Sequence, residues 1–452
     1  MTVTPVQSVS RRLAALAALL AVAAFADRAA PAAAQSPGAA AQPPTAEDVY
    51  AAARPRLLQI RTIVEAAGRQ FVIGSGFLVS ADGLAITNYH VVSQYALEPK
   101  TYRLEYAMAD GTTGKLALLA IDVADDLAVV RLDRHDTPFF AFSKRAVDGA
   151  MPKGEHLYSM GNPLDLGFTI VDGTYNGPVE RTYNQRIHFS GALNPGMSGG
   201  PTVTPDGAVV GINVAHQIGG ELVSFLVPAK FAVALLAKHA EDGEAPPPNF
   251  TAEIGRQFQE WQDGLYRSFD GLGFRPIALG RYEAPESAAP WFQCWGRTNV
   301  DLVPKPRAIV DGTMCSSDTQ LFIANDLVTG LIHLTHTYVK SDTLNQFQFA
   351  AFLSQQVQVG FPGGWSRKWQ TRQRCSEGFV KASSEGARPT LRTVWCARAY
   401  RAFPGLYDVT LSAVTQDSGS DALVSQLAMQ GVLYDNAVAI GKRFIEDVQW
   451  IK

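Results

Sequence analysis

Apolar positions in the first half of the chain fall in short runs separated by turn residues. Phe71 to Val79 alternates around Gly74-Ser75-Gly76, and Asp82-Gly83 then signals a hairpin into Leu84 to Thr87. Leu127 to Leu132 is a compact β-branched run. Asp206-Gly207 marks another hairpin, leading to Ala208–Val214 and then to Leu222–Val227. Many short strands with Gly/Asp turns predict an all-β sandwich or barrel. Phe231 to His239 reads as a short closing helix.

The second half has a mixed period. Ile254, Phe258, Trp261, Leu265 and Phe269 recur at helical spacing, one face of an amphipathic helix packed on a neighbour. Thr343–Gln356 and Asp421–Val448 also read as helices. Leu321–Tyr338, Gly378–Ala382, Leu391–Ala402 and Tyr407–Gln416 read as strands, so this half is α+β. The run EDGEAPPPN separates the halves, because consecutive prolines can neither continue a helix nor join a sheet. The expected plan is a domain over 47–240, a Pro-rich linker over 241–250 and a separate domain over 251–452.

The first residues follow a different logic. Arg11 and Arg12 precede the apolar stretch Leu13–Ala26, and Ala32-Ala33-Ala34 before Gln35 offers a small-residue cleavage site, with Ala24-Phe25-Ala26 a second option. Residues 1–34 thus read as a secretory signal peptide, and 35–46 as a flexible Ala/Pro/Gln-rich leader. The apolar stretch is short for a membrane span, so no stable span is expected after cleavage.

Composition narrows the function. In 452 residues, 47% are hydrophobic and 18% charged, against ~25% charged in an average chain, which argues against wholesale disorder. Lys+Arg 39 against Asp+Glu 42 leaves a net charge of -3, so a nucleic-acid partner is not expected. The four cysteines all lie in the second half. In an oxidising compartment the natural inference is two local disulfides, Cys294–Cys315 and Cys375–Cys396, which share one spacing. Four-cysteine zinc sites want C-x-x-C pairs, which are missing, and His333 and His336 on a strand would point to opposite faces. Trp291, Trp295, Trp365, Trp369 and Trp395 lie near these cysteines, and core packing is their expected role.

Three segments carry candidate chemistry: His90 in TNYHVV, Asp126 in DDLAVV, and Ser198 in NPGMSGGP. A serine hydroxyl is a weak nucleophile at neutral pH and needs a base to take its proton. Histidine suits that task, and a carboxylate fixes its tautomer and stabilises the imidazolium. Glycines beside the serine let backbone N–H groups approach a developing oxyanion, here assigned to Gly196 and Ser198.

The stretches GSGFLVSADGLAITNYHVV, DDLAVVRL, MGNPLDLG and NPGMSGGPTVTPDGAVVGIN, in this order, resemble the chymotrypsin-fold serine proteases and most of all their HtrA-like (DegP-like) branch. The resemblance covers about residues 50–235. It implies two six-stranded β-barrels with the site between them, His90 as general base, Asp126 rather than Asp125 as orienting acid, and Ser198 as nucleophile. It also implies a substrate pocket with Ala192, Leu193 and Asn194 at its base and Val214, Ala215 and His216 as its wall. No acid sits at that base, so a small or medium aliphatic side chain is expected there rather than Lys or Arg. Met197 stands where the HtrA-like pattern has Asn, and it cannot pair with a new N-terminus on zymogen cleavage. Gly271-Leu272-Gly273-Phe274 spells a PDZ carboxylate-binding loop, but it stands alone after a helix and reads as chance. The expected activity is an exported, periplasmic or secreted, serine endopeptidase acting on polypeptides without metal or organic cofactor. The alternative is a catalytically silent scaffold whose C-terminal domain binds a partner or envelope component.

Overall fold

The computed structural model describes residues 44–214, 223–357, 365–381 and 388–451. The expected signal peptide, residues 35–43 of the leader, and Ala215 and His216 lie outside the described residues.

After helix α1 (Ala46–Ala53), capped by Thr45, six antiparallel strands close into a barrel. They are β1 (Leu57–Val64), β2 (Arg69–Leu78), β3 (Leu84–Thr87), β4 (Tyr102–Met108), β5 (Thr113–Asp122) and β6 (Leu127–Leu132). Their order around the wall is β1-β2-β3-β6-β5-β4. Helix α2 (Tyr89–Leu97) lies between β3 and β4. His90, three residues beyond the strand expected over Leu84 to Thr87, therefore sits in the first turn of a helix. Asn88 supplies the change of direction with extended backbone at the N-cap.

A short helix α3 (Lys144–Val147) leads to the second barrel, built from β7 (His156–Gly161), β8 (Thr169–Pro178), β9 (Ile187–Phe189), β10 (Pro201–Val203), β11 (Val209–Val214) and β12 (Ser224–Pro228). Its order is β10-β11-β12-β9-β8-β7. Helix α4 (Ala229–Glu241) closes it as expected. The two barrels are the chymotrypsin-like arrangement the resemblance implied.

The Pro-rich run ends at Asn249, whose side chain accepts from the Ala252 N–H and starts helix α5 (Phe250–Leu272). All five apolar positions of its predicted stripe are buried. Gly273, with φ 71°, ends the helix, and Phe274 opens the next strand, so the GLGF run is a helix terminus. Strands β13 (Phe274–Leu279) and β14 (Tyr282–Ser287) pair with each other, and β14 also pairs with β24 (Gln449–Trp450). A larger antiparallel sheet contains β15 (Phe292–Thr298), β16 (Ile309–Ser317), β19 (Ile332–Lys340), β20 (Arg374–Val380), β21 (Leu391–Ala399), β22 (Leu406–Thr415) and β23 (Asp421–Leu433), in the order β15-β16-β19-β23-β22-β21-β20. A separate hairpin, β17 (Leu321–Ala324) and β18 (Leu327–Thr329), projects between β16 and β19. Helices α6 (Gln346–Gln356) and α7 (Tyr434–Glu446) complete the half. Among the described residues no helix is long and apolar enough to cross a membrane.

Several expected elements differ here. Leu321–Tyr338 is divided among β17, β18 and β19. Residues 421–448 form strand β23 and then α7, not a single helix. An apolar run buried on both faces of a sheet has no period that separates it from a buried helix. Residues with good helix propensity (Leu, Ala, Gln, Met) sit in β23 because its two neighbours, β19 and β22, supply the ladder. Helix α6 likewise starts at Gln346, later than Thr343, because Asn345 caps it.

The hydrophobic interior runs across the Pro-rich boundary. One buried cluster contains Leu58, Tyr89 and Val92 of the first barrel together with Phe258, Leu265 and Phe403 from the second half. Polar contacts reinforce it: Gln257 donates to the Ile121 carbonyl (2.8 Å) and accepts from the Val123 N–H (2.8 Å). The indole of Trp261 donates to Asn184 (3.1 Å).

Both predicted cysteine pairs sit directly opposite each other in register, Cys294 with Cys315 and Cys375 with Cys396, at S–S distances of 2.05 and 2.13 Å. Trp291 and Trp369 are buried as expected, whereas Trp295 is 53% and Trp365 41% exposed. His333 and His336 do not converge: His336 is buried between the Ser425 hydroxyl (2.9 Å) and the Pro285 carbonyl (2.7 Å).

Candidate active site

The N-terminus of α2 and the turn before β6 bring His90 and Asp126 together. One carboxylate oxygen of Asp126 lies 2.7 Å from His90 Nδ1, and the other accepts the His90 backbone N–H at 2.9 Å. A carboxylate accepts, so Nδ1 carries the proton and Nε2 is left as the basic nitrogen. The turn is itself constrained. Asp126 has φ 60°, a left-handed conformation that costs energy for a side chain with a Cβ, and its carbonyl accepts from Asn88 Nδ2 (2.8 Å).

Asp125 points elsewhere. Its carboxylate lies 3.6 Å from Arg186, and its N–H donates to Asp122 (3.0 Å). Burial, followed by the like charge of Asp122, pushes the Asp125 carboxyl up, against the pull of Arg186. For His90, burial alone would lower the imidazole pKa. The charge of Asp126 and its hydrogen bond outweigh burial, and the pKa is raised above its ordinary value.

Ser198 lies in the β9–β10 connection and is buried. Its loop is seated on the first barrel by contacts that leave no room for larger residues. Gly199 has φ 85°, and a Cβ there would stand 2.2 Å from the Ser75 carbonyl and 2.4 Å from the Thr87 hydroxyl. Gly196 has φ 97°, and its Cβ would fall 2.4 Å from the Asn162 carbonyl. The loop thus rests against Thr87 and Asn88, the residues that lead into His90.

Two residues outside the sequence-predicted set hold this loop. The Ser75 N–H donates to the Ser198 carbonyl (2.7 Å), its hydroxyl donates to the Gly196 carbonyl (2.7 Å), and that hydroxyl accepts from the Asn162 N–H (2.9 Å). Buried Asn213 donates from Nδ2 to the Met160 (2.9 Å) and Met197 (3.3 Å) carbonyls, and its Oδ1 accepts from Ser159 (2.8 Å) and Thr202 (2.6 Å). The available signal was a polar residue inside an otherwise apolar or glycine strand, in GSGF and VVGIN.

These bonds also orient two peptide planes. The Pro195 carbonyl accepts from the Leu164 N–H (2.9 Å), so the Gly196 N–H of the same trans peptide is turned the opposite way. The Met197 carbonyl accepts from the Gly200 N–H (3.0 Å) and from Asn213, which fixes the direction of the Ser198 N–H in the same manner.

The predicted pocket is only partly described. Leu193 packs on the second-barrel core beside Phe189 and Leu226, while Ala192 and Asn194 are exposed. Val214 lines a cleft together with Asp126. Met197 is fully buried, its backbone against Gly161. Among the described residues one cluster has metal-ligand types, Glu286 with Cys294 and Cys315, but its sulfurs are bonded to each other and offer no thiolate.

Residues 74–212 match the trypsin-like peptidase domain family. Proteins described as probable periplasmic serine endoprotease DegP-like are similar to this chain. The one from Marinomonas sp. is 30% identical over 229 residues, 49% of this chain and 46% of its own length. The one from Rhizobium meliloti is 34% identical over 181 residues, covering 38% and 34%. The one from Chlamydia muridarum is 29% identical over 184 residues, covering 39% and 35%. The chain thus spans between a third and a half of the length of these relatives. A solved serine endoprotease from Yersinia pestis is 26% identical, with a TM-score of 0.37, covering 43% of this chain and 66% of its own.

The paired barrels, with a His–Asp dyad beside a glycine-lined serine loop, form a domain of the chymotrypsin fold. Over residues 74–212 that domain matches the trypsin-like peptidase domain family, and it is similar to the DegP-like serine endoproteases.

Proposed function

We propose that the chain is an exported serine endopeptidase that cleaves polypeptides through an acyl-enzyme on Ser198. The observation that carries the reading is the two-point grip of Asp126 on His90, 2.7 Å at Nδ1 and 2.9 Å at the backbone N–H, next to the seated serine loop. Ser198 Oγ attacks the scissile carbonyl carbon as His90 Nε2 takes its proton. Asp126 holds the ring and stabilises the imidazolium. The oxyanion is received by the N–H groups of Gly196 and Ser198, and the fixed peptide planes around them favour a preformed hole. Collapse breaks the C–N bond, and His90 returns the proton to the departing amine. Water, deprotonated by His90, then releases the acyl group and restores Ser198. Removing one oxyanion donor typically slows such reactions by roughly 100- to 1,000-fold.

A role in periplasmic protein processing or quality control is favoured by the names of the similar proteins, by the N-terminal signal-like segment and by two disulfides suited to an oxidising compartment. The test is labelling of the mature protein with a fluorophosphonate, with unfolded casein as substrate. Wild type is expected to label and cleave, and Ser198→Ala to do neither. Labelling of wild type no greater than that of Ser198→Ala would leave a silent scaffold.

A further inference from the structure

The barrels do not enclose the candidate cleft alone. A cavity of about 190 Å³ opens beside Asp126. Val123, Val214 and Phe225 line it from the barrels, and Leu321, Phe322 and Val328 line it from the hairpin β17–β18 of the C-terminal half.

The hairpin presents a defined face. Phe322 and Val328 are cross-strand partners, so their side chains share one side of the ribbon. On that side the Phe322 ring meets the His90 imidazole edge-on, with centroids 5.9 Å apart. The hairpin is also firmly held. The Tyr89 hydroxyl donates to the Ile323 carbonyl (2.8 Å), the Trp369 indole donates to Asp326 at the turn (2.6 Å), and the Thr329 and Tyr400 hydroxyls lie 2.7 Å apart. Leu321, Ile323, Ala324 and Leu327 are buried, whereas Val328 remains 48% exposed and Phe322 half-buried. Two fixed apolar side chains are therefore left facing an open cavity next to the general base.

We infer that Phe322 and Val328 form a specificity wall of the substrate cleft, selecting a large apolar side chain close to the scissile bond. This rests on the peptidase reading. The occupant follows from position, size and charge. An extended peptide advances about 3.3 Å per residue, so a side chain this near His90 belongs to a residue within about two or three positions of the bond cut. The cavity is smaller than the roughly 300 Å³ at which small-molecule sites begin, and suits a single side chain. The charged groups of the lining have partners within the chain: Arg186 faces Asp125 and attracts Asp318, and Asp126 is held by His90, so the apolar wall is the part left for an occupant. A hairpin acting as a plug would fill the cleft, whereas here the cavity remains open.

The test uses the full mature chain as wild type, Phe322→Ala and Val328→Phe. Val328 is exposed enough for the larger side chain to be accommodated without disturbing the fold. Fluorophosphonate labelling reports the assembled triad, and kcat/KM is compared between peptides that differ only by Leu, Phe or Ala near the cleavage position. Ratios within one variant cancel any loss common to all substrates. Phe322→Ala should cut the preference for Leu or Phe over Ala by about tenfold or more. Val328→Phe, by filling the cavity, should turn the preference toward Ala. Unlabelled wild type would overturn the peptidase reading and this inference with it. Labelled proteins with one common preference would overturn the wall alone. A uniform rise for all peptides in Phe322→Ala would make the hairpin a plug, and would also overturn it.

Discussion

At the scale of single residues, the proposed chemistry turns on which charge His90 sees. Burial and Asp126 act on its pKa in opposite directions, and Asp126 prevails. Only neutral His90 can accept the Ser198 proton, so kcat/KM should fall as pH drops through this raised pKa, with a midpoint above the ~6.5 of a free imidazole. Asp126→Asn removes the raising influence and leaves burial in place. Its acid limb should therefore move to lower pH, and its rate should drop roughly 10,000-fold, as expected when the tautomer is no longer fixed. A pH profile of kcat/KM for both proteins checks this, and an unmoved limb in Asp126→Asn would assign the titration to another group. The partners of this residue set were unequally legible. His90, Asp126 and Ser198 stand in short contiguous motifs whose spacing is visible in the chain. Ser75 and Asn213 are ordinary polar residues in strands, and their work becomes visible only when β2 and β11 meet the serine loop.

At the scale of elements, the two disulfides share one architectural position. Strands β15 and β20 are the opposite edges of the large sheet, both largely exposed, and each is bonded to its inner neighbour by one cystine. Exposed edges gain little from burial and are prone to fray or to pair with other chains. Closing a loop of this length is worth about 3 kcal/mol in the chain-entropy account. The double variant Cys375→Ser/Cys396→Ser should lose about that much stability in denaturant titration, with the β20 amides the first to gain hydrogen exchange. Fluorophosphonate labelling should persist, since the proposed triad lies on the barrels. Unchanged β20 protection would contradict the staple. Equal cysteine spacing made the pairing legible in the sequence, but the edge placement was not, because strand order in a sheet does not follow chain order. The same limit explains β23: its apolar run was visible, while its place between β19 and β22 was not.

At the scale of the whole molecule, the shared core joins the halves. Tyr89, next to His90 in the chain, is buried with Phe322 edge-on to it and donates to Ile323 across 234 positions of chain. Residues 44–452 should therefore lose structure together. The chain offers its own probes: all seven tryptophans lie between Trp261 and Trp450, so indole fluorescence reports the C-terminal half, while Ser198 labelling reports the barrels. The two signals should vanish at the same temperature. Midpoints well apart would show that the halves unfold independently.

The features legible in the chain were local: alternating strands with their turn glycines, the helical stripe of α5, the order of the His90, Asp126 and Ser198 motifs and the paired cysteine spacing. Each is written within a few residues, because strand period, helix period and turn conformation are set by neighbours in the chain. Only the folded chain shows which buried amide and hydroxyl seat the serine loop, and that a hairpin from the far half stands beside His90. Those outcomes depend on side chains brought together from distant segments, and the packing free energy that selects them is not encoded in any one stretch of sequence.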